Sequence, residues 1–295
     1  MRYDTCMTDY AQMIAQPEGD SHKGQNGRVL VIGGSELFHA APFWAASAAA
    51  HIVDLVHFAS PAPENAELVR VRAKEQFWEG IVVSWEAVDR YILEDDCILI
   101  GPGMPRDEGL MPGELATGGI VDMLLARYPD KRWVIDGGAL QTVDLGRIRP
   151  QMVVTPNARE LEIVVGKSGS KIQDLRFKNE RVQLVQEVAR ALGCTVLAKG
   201  AEDVVSDGET TEVIAGGDPG LTKGGTGDVL SGIVAGLYAK SPALAAAVVA
   251  SRANKRIGEL LAAEVGPYYT ATEMVARVGQ ALHEIIALSG ESRQA

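Results

Sequence analysis

The chain repeats one local pattern: a short apolar run, stopped by glycine, proline or small polar residues, then a segment with helical spacing. Val29-Leu30-Val31-Ile32 stops at Gly33-Gly34, Cys97 to Ile100 at Gly101-Pro102-Gly103, and Trp133-Val134-Ile135 at Asp136-Gly137-Gly138. Met152-Val153-Val154 stops at Thr155-Pro156-Asn157, Thr195 to Ala198 stops at Lys199-Gly200, and Val53 to Phe58 reads as a further strand. Short apolar runs without alternation are strands covered on both faces, as in parallel sheets. The intervening segments carry helix signals. Ala41 to Ile52 is rich in alanine with Pro42 near its start, and Ile120 to Tyr128 follows the Cys97 to Ile100 run. Arg181 to Leu192 places Val182, Val185, Val188, Ala189 and Leu192 on one face and ends at Gly193. Val229 to Tyr238 predicts another helix. Ser241 and Pro242 predict the N-cap and first position of a helix running towards Ala263, and Thr270 to Leu288 predicts a last amphipathic one. Strand–helix alternation without a composition break predicts a single α/β domain with a mainly parallel sheet. Residues 1–22 are polar and weakly patterned, which predicts an N-terminal extension outside the core, with the domain covering 23–295.

In such sheets ligands sit at the carboxyl ends of the strands, where the glycine, proline and polar clusters fall. A formal net charge of -11 excludes a general nucleic-acid surface, which needs a basic face. It is compatible with an anionic nucleotide held locally by backbone N–H groups. Cys6, Cys97 and Cys194 lie far apart and give neither a disulfide framework nor a zinc spacing. No apolar run reaches membrane-span length, and Met1-Arg2-Tyr3-Asp4 lacks the regions of a signal peptide, so a cytoplasmic protein without membrane contact is expected.

Three segments carry chemistry. The glycine-dense stretch from Gly216 to Asp228 ends in Gly225-Thr226-Gly227-Asp228, directly before a helical pattern. Glycines let successive N–H groups converge, and the helix N-terminus adds its positive dipole end, so an oxyanion or a transferring phosphoryl group is stabilised there. The plainer reading is a flexible loop capped by an aspartate. Lys223 is followed by Gly224 rather than Ser or Thr, so this is not a Walker A loop. In Thr155-Pro156-Asn157-Ala158-Arg159-Glu160, Asn157 and Glu160 have capping-box spacing, and the Glu160 carboxylate is also placed to hold a magnesium-bound water. Lys199-Gly200-Ala201-Glu202-Asp203 reads either as a nucleotide-phosphate contact or as an ordinary strand-end turn. Of five histidines, His39 alone falls near a site, while His51 and His57 read as packing residues.

Together these segments resemble the NAD(P)H-hydrate dehydratase family, a branch of the ribokinase-like kinases. The resemblance runs from His22 to about Leu288. It rests on the opening His22-Lys23-Gly24-Gln25-Asn26-Gly27-Arg28 through Gly33-Gly34-Ser35, then Gly101-Pro102-Gly103, Asp136-Gly137-Gly138-Ala139-Leu140, Thr155-Pro156-Asn157, Lys199-Gly200-Ala201 and Gly225-Thr226-Gly227-Asp228, in family order. It implies a ribokinase-like three-layer sandwich and a metabolite-repair reaction. ADP or ATP, with ADP favoured, phosphorylates the 6-hydroxyl of hydrated NADH or NADPH with Mg2+ present, and loss of phosphate restores the dihydronicotinamide. By the same resemblance Asp228 is the general base and touches the substrate, and the amides around Gly225, Thr226 and Gly227 hold the transferring group. Lys199, Gly200, Ala201, Glu202, Asp203 and Gly227 contact the nucleotide, and Ala41, Gly103 and Asn157 contact the hydrated substrate. A homotetramer, and a separate epimerase acting in the same pathway, are further expectations.

The chain departs from the family pattern at several points. Gly138 stands where the family often has aspartate, and Asn157 where many bacterial members have histidine. His51-Ile52-Val53-Asp54-Leu55 replaces an Arg-Ser-Gly-Ala-Gly run, and Lys223 replaces a small residue and is expected to add a phosphate contact. The competing functions are a small-molecule kinase of the same fold and a non-catalytic nucleotide-binding regulator.

Overall fold

The computed structural model describes residues 10–76, 78–106, 116–168 and 178–291. The apolar runs become strands of one nine-stranded sheet. They are β1 (Arg28–Ile32), β2 (Leu55–Ala59), β3 (Ile81–Val82), β4 (Cys97–Ile100), β5 (Arg132–Ile135), β6 (Met152–Val154), β7 (Thr195–Ala198), β8 (Asp203–Ser206) and β9 (Thr211–Ile214). The spatial order is β3-β2-β1-β4-β5-β6-β7-β8-β9. Pairing is parallel from β3 to β7 and antiparallel for the last two strands. The β8–β9 hairpin is unmarked by the pattern of apolar runs. It turns at Asp207-Gly208, where the Asp207 carboxylate accepts from the N–H groups of Glu209 and Thr210 at 3.0 and 2.8 Å.

Side chains alternate between the sheet faces, and both faces are apolar. Val29, Val31, Leu99, Val134, Val153 and Leu197 join one core, whereas Leu30, Ile32, Ile98, Ile100, Trp133 and Ile135 join the other. The first core is covered by α1 (Ala40–Ala50), α8 (Thr226–Tyr238), α9 (Ala243–Val265), α10 (Ala271–Val275) and α11 (Val278–Glu291). The second is covered by α3 (Val88–Glu94), α4 (Thr117–Arg127), α5 (Gly137–Thr142), α6 (Ala158–Ser168) and α7 (Lys178–Leu192). The remaining helix, α2 (Pro63–Gln76), follows β2. This is the helix–sheet–helix arrangement expected.

Three local readings change. The segment before β1 is not outside the core: Ala11 and Ile14 are buried against it, and the Ala15 N–H donates to Ser241 Oγ at 3.1 Å. That bond takes Ser241 out of the capping role, so Pro242 is the N-cap and α9 begins one residue later. The single C-terminal helix becomes two, because Thr270 and Glu273 form a capping box that starts the short α10, and α11 begins only at Val278. No helix among the described residues is long and apolar enough to cross a membrane.

β1 lies between β2 and β4, so the chain leaves it in one direction and later returns on its other side. The crevice of a doubly wound sheet opens at this point. Here the Gly34 N–H donates to the Pro102 carbonyl at 2.9 Å, which joins the loops after β1 and β4.

Candidate active site

The glycine-dense segment is ordered by its own side chains. Asp218 accepts from the Gly220 N–H at 2.7 Å, and the buried Thr226 hydroxyl donates to the carbonyls of Leu221 and Lys223 at 2.6 and 2.9 Å. Gly225, the N-cap of α8, has φ 94°, and a Cβ there would lie 2.4 Å from the Trp44 ring. Both conformation and space demand glycine. Among the described residues the Gly227 N–H meets no main-chain acceptor and the Asp228 N–H is directed at its own carboxylate, so the first turn of a 13-residue helix presents the Gly227 donor and its positive dipole end. The flexible-loop reading gives way to a loop fixed by its own hydrogen bonds.

Four charged groups meet beside it. Lys199, at the end of β7, places Nζ 2.7 Å from Asp136 Oδ1 and 4.0 Å from Glu160 Oε2. Its ammonium crosses the first turn of α8, since a Cβ on Gly227 would sit 3.4 Å from Nζ. Asp136 Oδ1 also accepts from the Thr155 hydroxyl at 2.8 Å. Burial lowers the Lys199 pKa, but the carboxylates of Asp136 and Glu160 outweigh it and the net shift is upward. Burial raises the pKa of Glu160 against the opposing pull of Lys199. Half-buried Asp228 is pushed up to about 7, first by burial and then by the charge of Asp136, with Lys199 opposing. An aspartate poised near neutrality suits proton abstraction.

Asn157 and Glu160 form the expected capping box: Glu160 N–H donates to Asn157 Oδ1 at 3.0 Å, and Asn157 N–H to Glu160 Oε2 at 2.8 Å. From Asn157 and Gly227 a cleft of about 710 Å³ runs past Gly200 and Ala201 towards Gly217 and Lys255. Ala41 and Gly103 lie together at the β1–β4 crevice, where a Cβ on Gly103 would be 3.3 Å from that of Ala41. A second cavity of about 640 Å³, among Gln16, His22, Asn26 and Lys240, opens near the start of β1 and contains none of the expected site residues.

Several expectations resolve differently. Lys223 lines the cleft, but its ammonium is engaged by main chain, donating to the carbonyls of Pro267 and, at 2.8 Å, Tyr269. Lys223→Ala should therefore change ADP affinity less than about twofold in calorimetry while lowering the melting temperature slightly. Gly138 answers to space rather than chemistry, because a Cβ would lie 2.0 Å from the Met104 carbonyl oxygen and an aspartate cannot fit. The Asp203 carboxylate is buried and occupied by the Gly200 N–H, the Ser251 hydroxyl and Lys255, so it shapes the turn. His57 packs on Tyr91 with Nδ1 2.9 Å from the buried Asp95, as a core residue does. His51 is instead exposed at the end of α1, and His39 is exposed at its start. Lys255 enters the cleft wall, and Arg181 the β7–β8 turn behind it, unannounced by any motif. The available signal for Lys255 was a cation, four residues after Ser251, on an apolar helix face.

A family model described as NAD(P)H-hydrate dehydratase matches residues 29–279. A bifunctional NAD(P)H-hydrate repair enzyme of Pyrobaculum aerophilum is 36% identical over 278 residues, covering 92% of this chain and 53% of that protein. The chain thus spans about half the length of such bifunctional relatives. An ADP-dependent (S)-NAD(P)H-hydrate dehydratase of Nitrosopumilus maritimus is 33% identical over 279 residues and is covered over 92% of its length, with 90% of this chain. Among solved structures, a ribokinase-like superfamily protein of Enterococcus faecalis superposes with TM-score 0.76 at 25% identity, covering 94% of both chains. An ADP/ATP-dependent NAD(P)H-hydrate dehydratase of Bacillus subtilis, co-crystallized with ATP/Mg2+, shares the fold with TM-score 0.75 at 21% identity, over 94% of this chain and 97% of that one. With the model spanning most of the domain, the chain belongs to the NAD(P)H-hydrate dehydratase family.

Proposed function

We propose that this protein restores NADH and NADPH from their 6-hydroxy hydrates, using ADP, or ATP in its place, as phosphoryl donor. The observation that carries the reading is Asp228: a carboxylate poised near neutrality in the first turn of a helix whose Thr226 and Gly227 line a cleft of about 710 Å³. Hydroxide leaves a carbon poorly, so the hydroxyl must first become a phosphate ester. Asp228 takes the hydroxyl proton as the oxygen attacks the terminal phosphorus, and the amides around Gly225, Thr226 and Gly227 hold the charge on the transferring group. The nucleotide leaves one phosphate shorter. The ring nitrogen then expels inorganic phosphate, and loss of a neighbouring ring proton restores the double bond.

In this reading Lys199, Gly200, Ala201, Glu202, Asp203 and Gly227 form the nucleotide end, and Ala41, Gly103 and Asn157 the substrate end. Among the described residues no group of three or more His, Cys, Asp and Glu is arranged to ligate a metal directly. The buried carboxylates of Glu160 and Asp136, beside the cleft-lining Lys199, fit Mg2+ held through water and nucleotide oxygens, which is this ion's usual habit. Bound there, it would neutralise phosphate charge. A cytoplasmic homotetramer working beside a separate epimerase completes the proposal.

The test is to incubate the protein with hydrated NADH, Mg2+ and ADP or ATP and follow NADH absorbance. Recovery with ADP, accompanied by equal inorganic phosphate and AMP, is expected. No recovery, with phosphorylation of a sugar or vitamin alcohol instead, would establish a small-molecule kinase.

A further inference from the structure

The turn between β7 and β8 has an unusual main chain: each carbonyl from Ala198 to Glu202 is captured by one of two cations. Arg181, from α7, donates through Nη2 to Ala198 and Lys199 at 3.0 and 3.1 Å, and through Nη1 to Glu202 at 2.6 Å. Lys255, from α9, donates through Nζ to the carbonyls of Gly200 and Ala201 at 2.6 and 2.9 Å. Lys255 is only 3% exposed, and its third neighbour is Asp203 Oδ1 at 3.3 Å. The same Asp203 oxygen accepts from the Gly200 N–H at 2.8 Å, and the other accepts from the Ser251 hydroxyl at 2.8 Å.

In a planar trans peptide the C=O and the following N–H point in opposite directions. Pinning the Gly200 and Ala201 carbonyls on Lys255 therefore turns the N–H groups of Ala201 and Glu202 the other way. Gly200 and Ala201 line the cleft. Without the clamp, carbonyl oxygens would be as free as N–H groups to face an incoming phosphate and would repel it. With it, the turn presents donors backed by a buried positive charge.

We propose that Lys255, assisted by Arg181, is a positioning residue for the diphosphate of the nucleotide, acting through the turn rather than by contact. The proposal rests on the reading of this turn as the nucleotide end of the site. Calorimetric titration of the full chain with ADP and with adenosine separates the possibilities. In Lys255→Met the ADP Kd should rise at least about tenfold, while adenosine binding changes less than about twofold. Turnover at saturating ADP should stay within about threefold, so the loss appears in KM. Arg181→Met, which releases the opposite side of the turn, should show the same phosphate-selective loss and carries the test if Lys255→Met does not fold. Unchanged ADP affinity in the folded variants overturns the clamp alone. Equal losses for ADP and adenosine also overturn it, since a general collapse of the cleft would not distinguish them. Absence of ADP binding by the unaltered protein overturns the nucleotide reading as well.

Discussion

Asp228→Asn should lower kcat by about 10²–10⁴-fold while ADP binds with affinity within about threefold of the unaltered protein. The asymmetry follows from where the residue stands. The cradle is main chain, from the N–H groups at the start of α8, and asparagine keeps that helix and its dipole. Only proton acceptance is lost. The same residue sets the pH profile: with its pKa near 7, the basic form accumulates only as pH rises through that value. kcat/KM should climb about tenfold per pH unit on the acid side and level off above roughly 7. Stability should move oppositely. An unfolded aspartate ionises near 3.8 and the folded one near 7, so within that window the folded state binds more protons and stability falls as pH rises. Above about 7 both states are ionised and the full penalty remains. Discounted because Asp228 is only half-buried, Asp228→Asn should gain about 1–2 kcal/mol at pH 8 and little at pH 4. Denaturant titrations at the two pH values check it. A variant that loses nucleotide affinity along with kcat would place Asp228 in binding rather than in chemistry.

How far the sequence exposes this molecule depends on the range of the interactions involved. The parallel strands are legible because burial on both faces requires uninterrupted apolar runs such as Val29 to Ile32, and their ends are legible because the loops there need glycine and proline. Asp228 is legible for a similar reason: a helix start after dense glycine is a local event. Lys199 is legible as a strand-end cation, but its partners are not, since Asp136 comes from the end of β5 and Glu160 from the first turn of α6, and they meet it only through the sheet order. The same holds for Lys255, which reaches the β7–β8 turn across more than fifty positions of chain. Lys223 is legible as a cation beside the glycine loop, but its partners are not, since they are two carbonyls from a loop far along the chain. Local chemistry marks the candidate reacting end of the proposed site, whereas the charges around it come from tertiary packing.

The contact that sets α8 in place gives the second large effect. Gly232 lies mid-helix, and a Cβ there would stand 2.2 Å from the Ala45 carbonyl oxygen of α1. Ala45, Ala46, Ala48 and Ala49 are buried, so the alanine-rich stretch exists to let the two backbones approach, not merely to favour a helix. Helix propensity alone predicts that Gly→Ala stabilises by about 1 kcal/mol. Here the clash decides the sign, because the obstacle is backbone and cannot rotate away. Gly232→Ala should cost about 2–3 kcal/mol net, a fall in Tm of roughly 5 °C for a chain of this size. Gly166 in α6 supplies the control: its Cβ would meet nothing within 4 Å, so Gly166→Ala should stabilise by about 0.5–1 kcal/mol. Thermal unfolding of the two variants should give shifts of opposite sign from the same chemical change. Gly232→Ala should also reduce kcat more than ADP affinity, because moving α8 off α1 displaces the Asp228 carboxylate from its reacting position by a fraction of an ångström. Shifts of the same sign would remove the α1–α8 contact as the element that positions the catalytic helix.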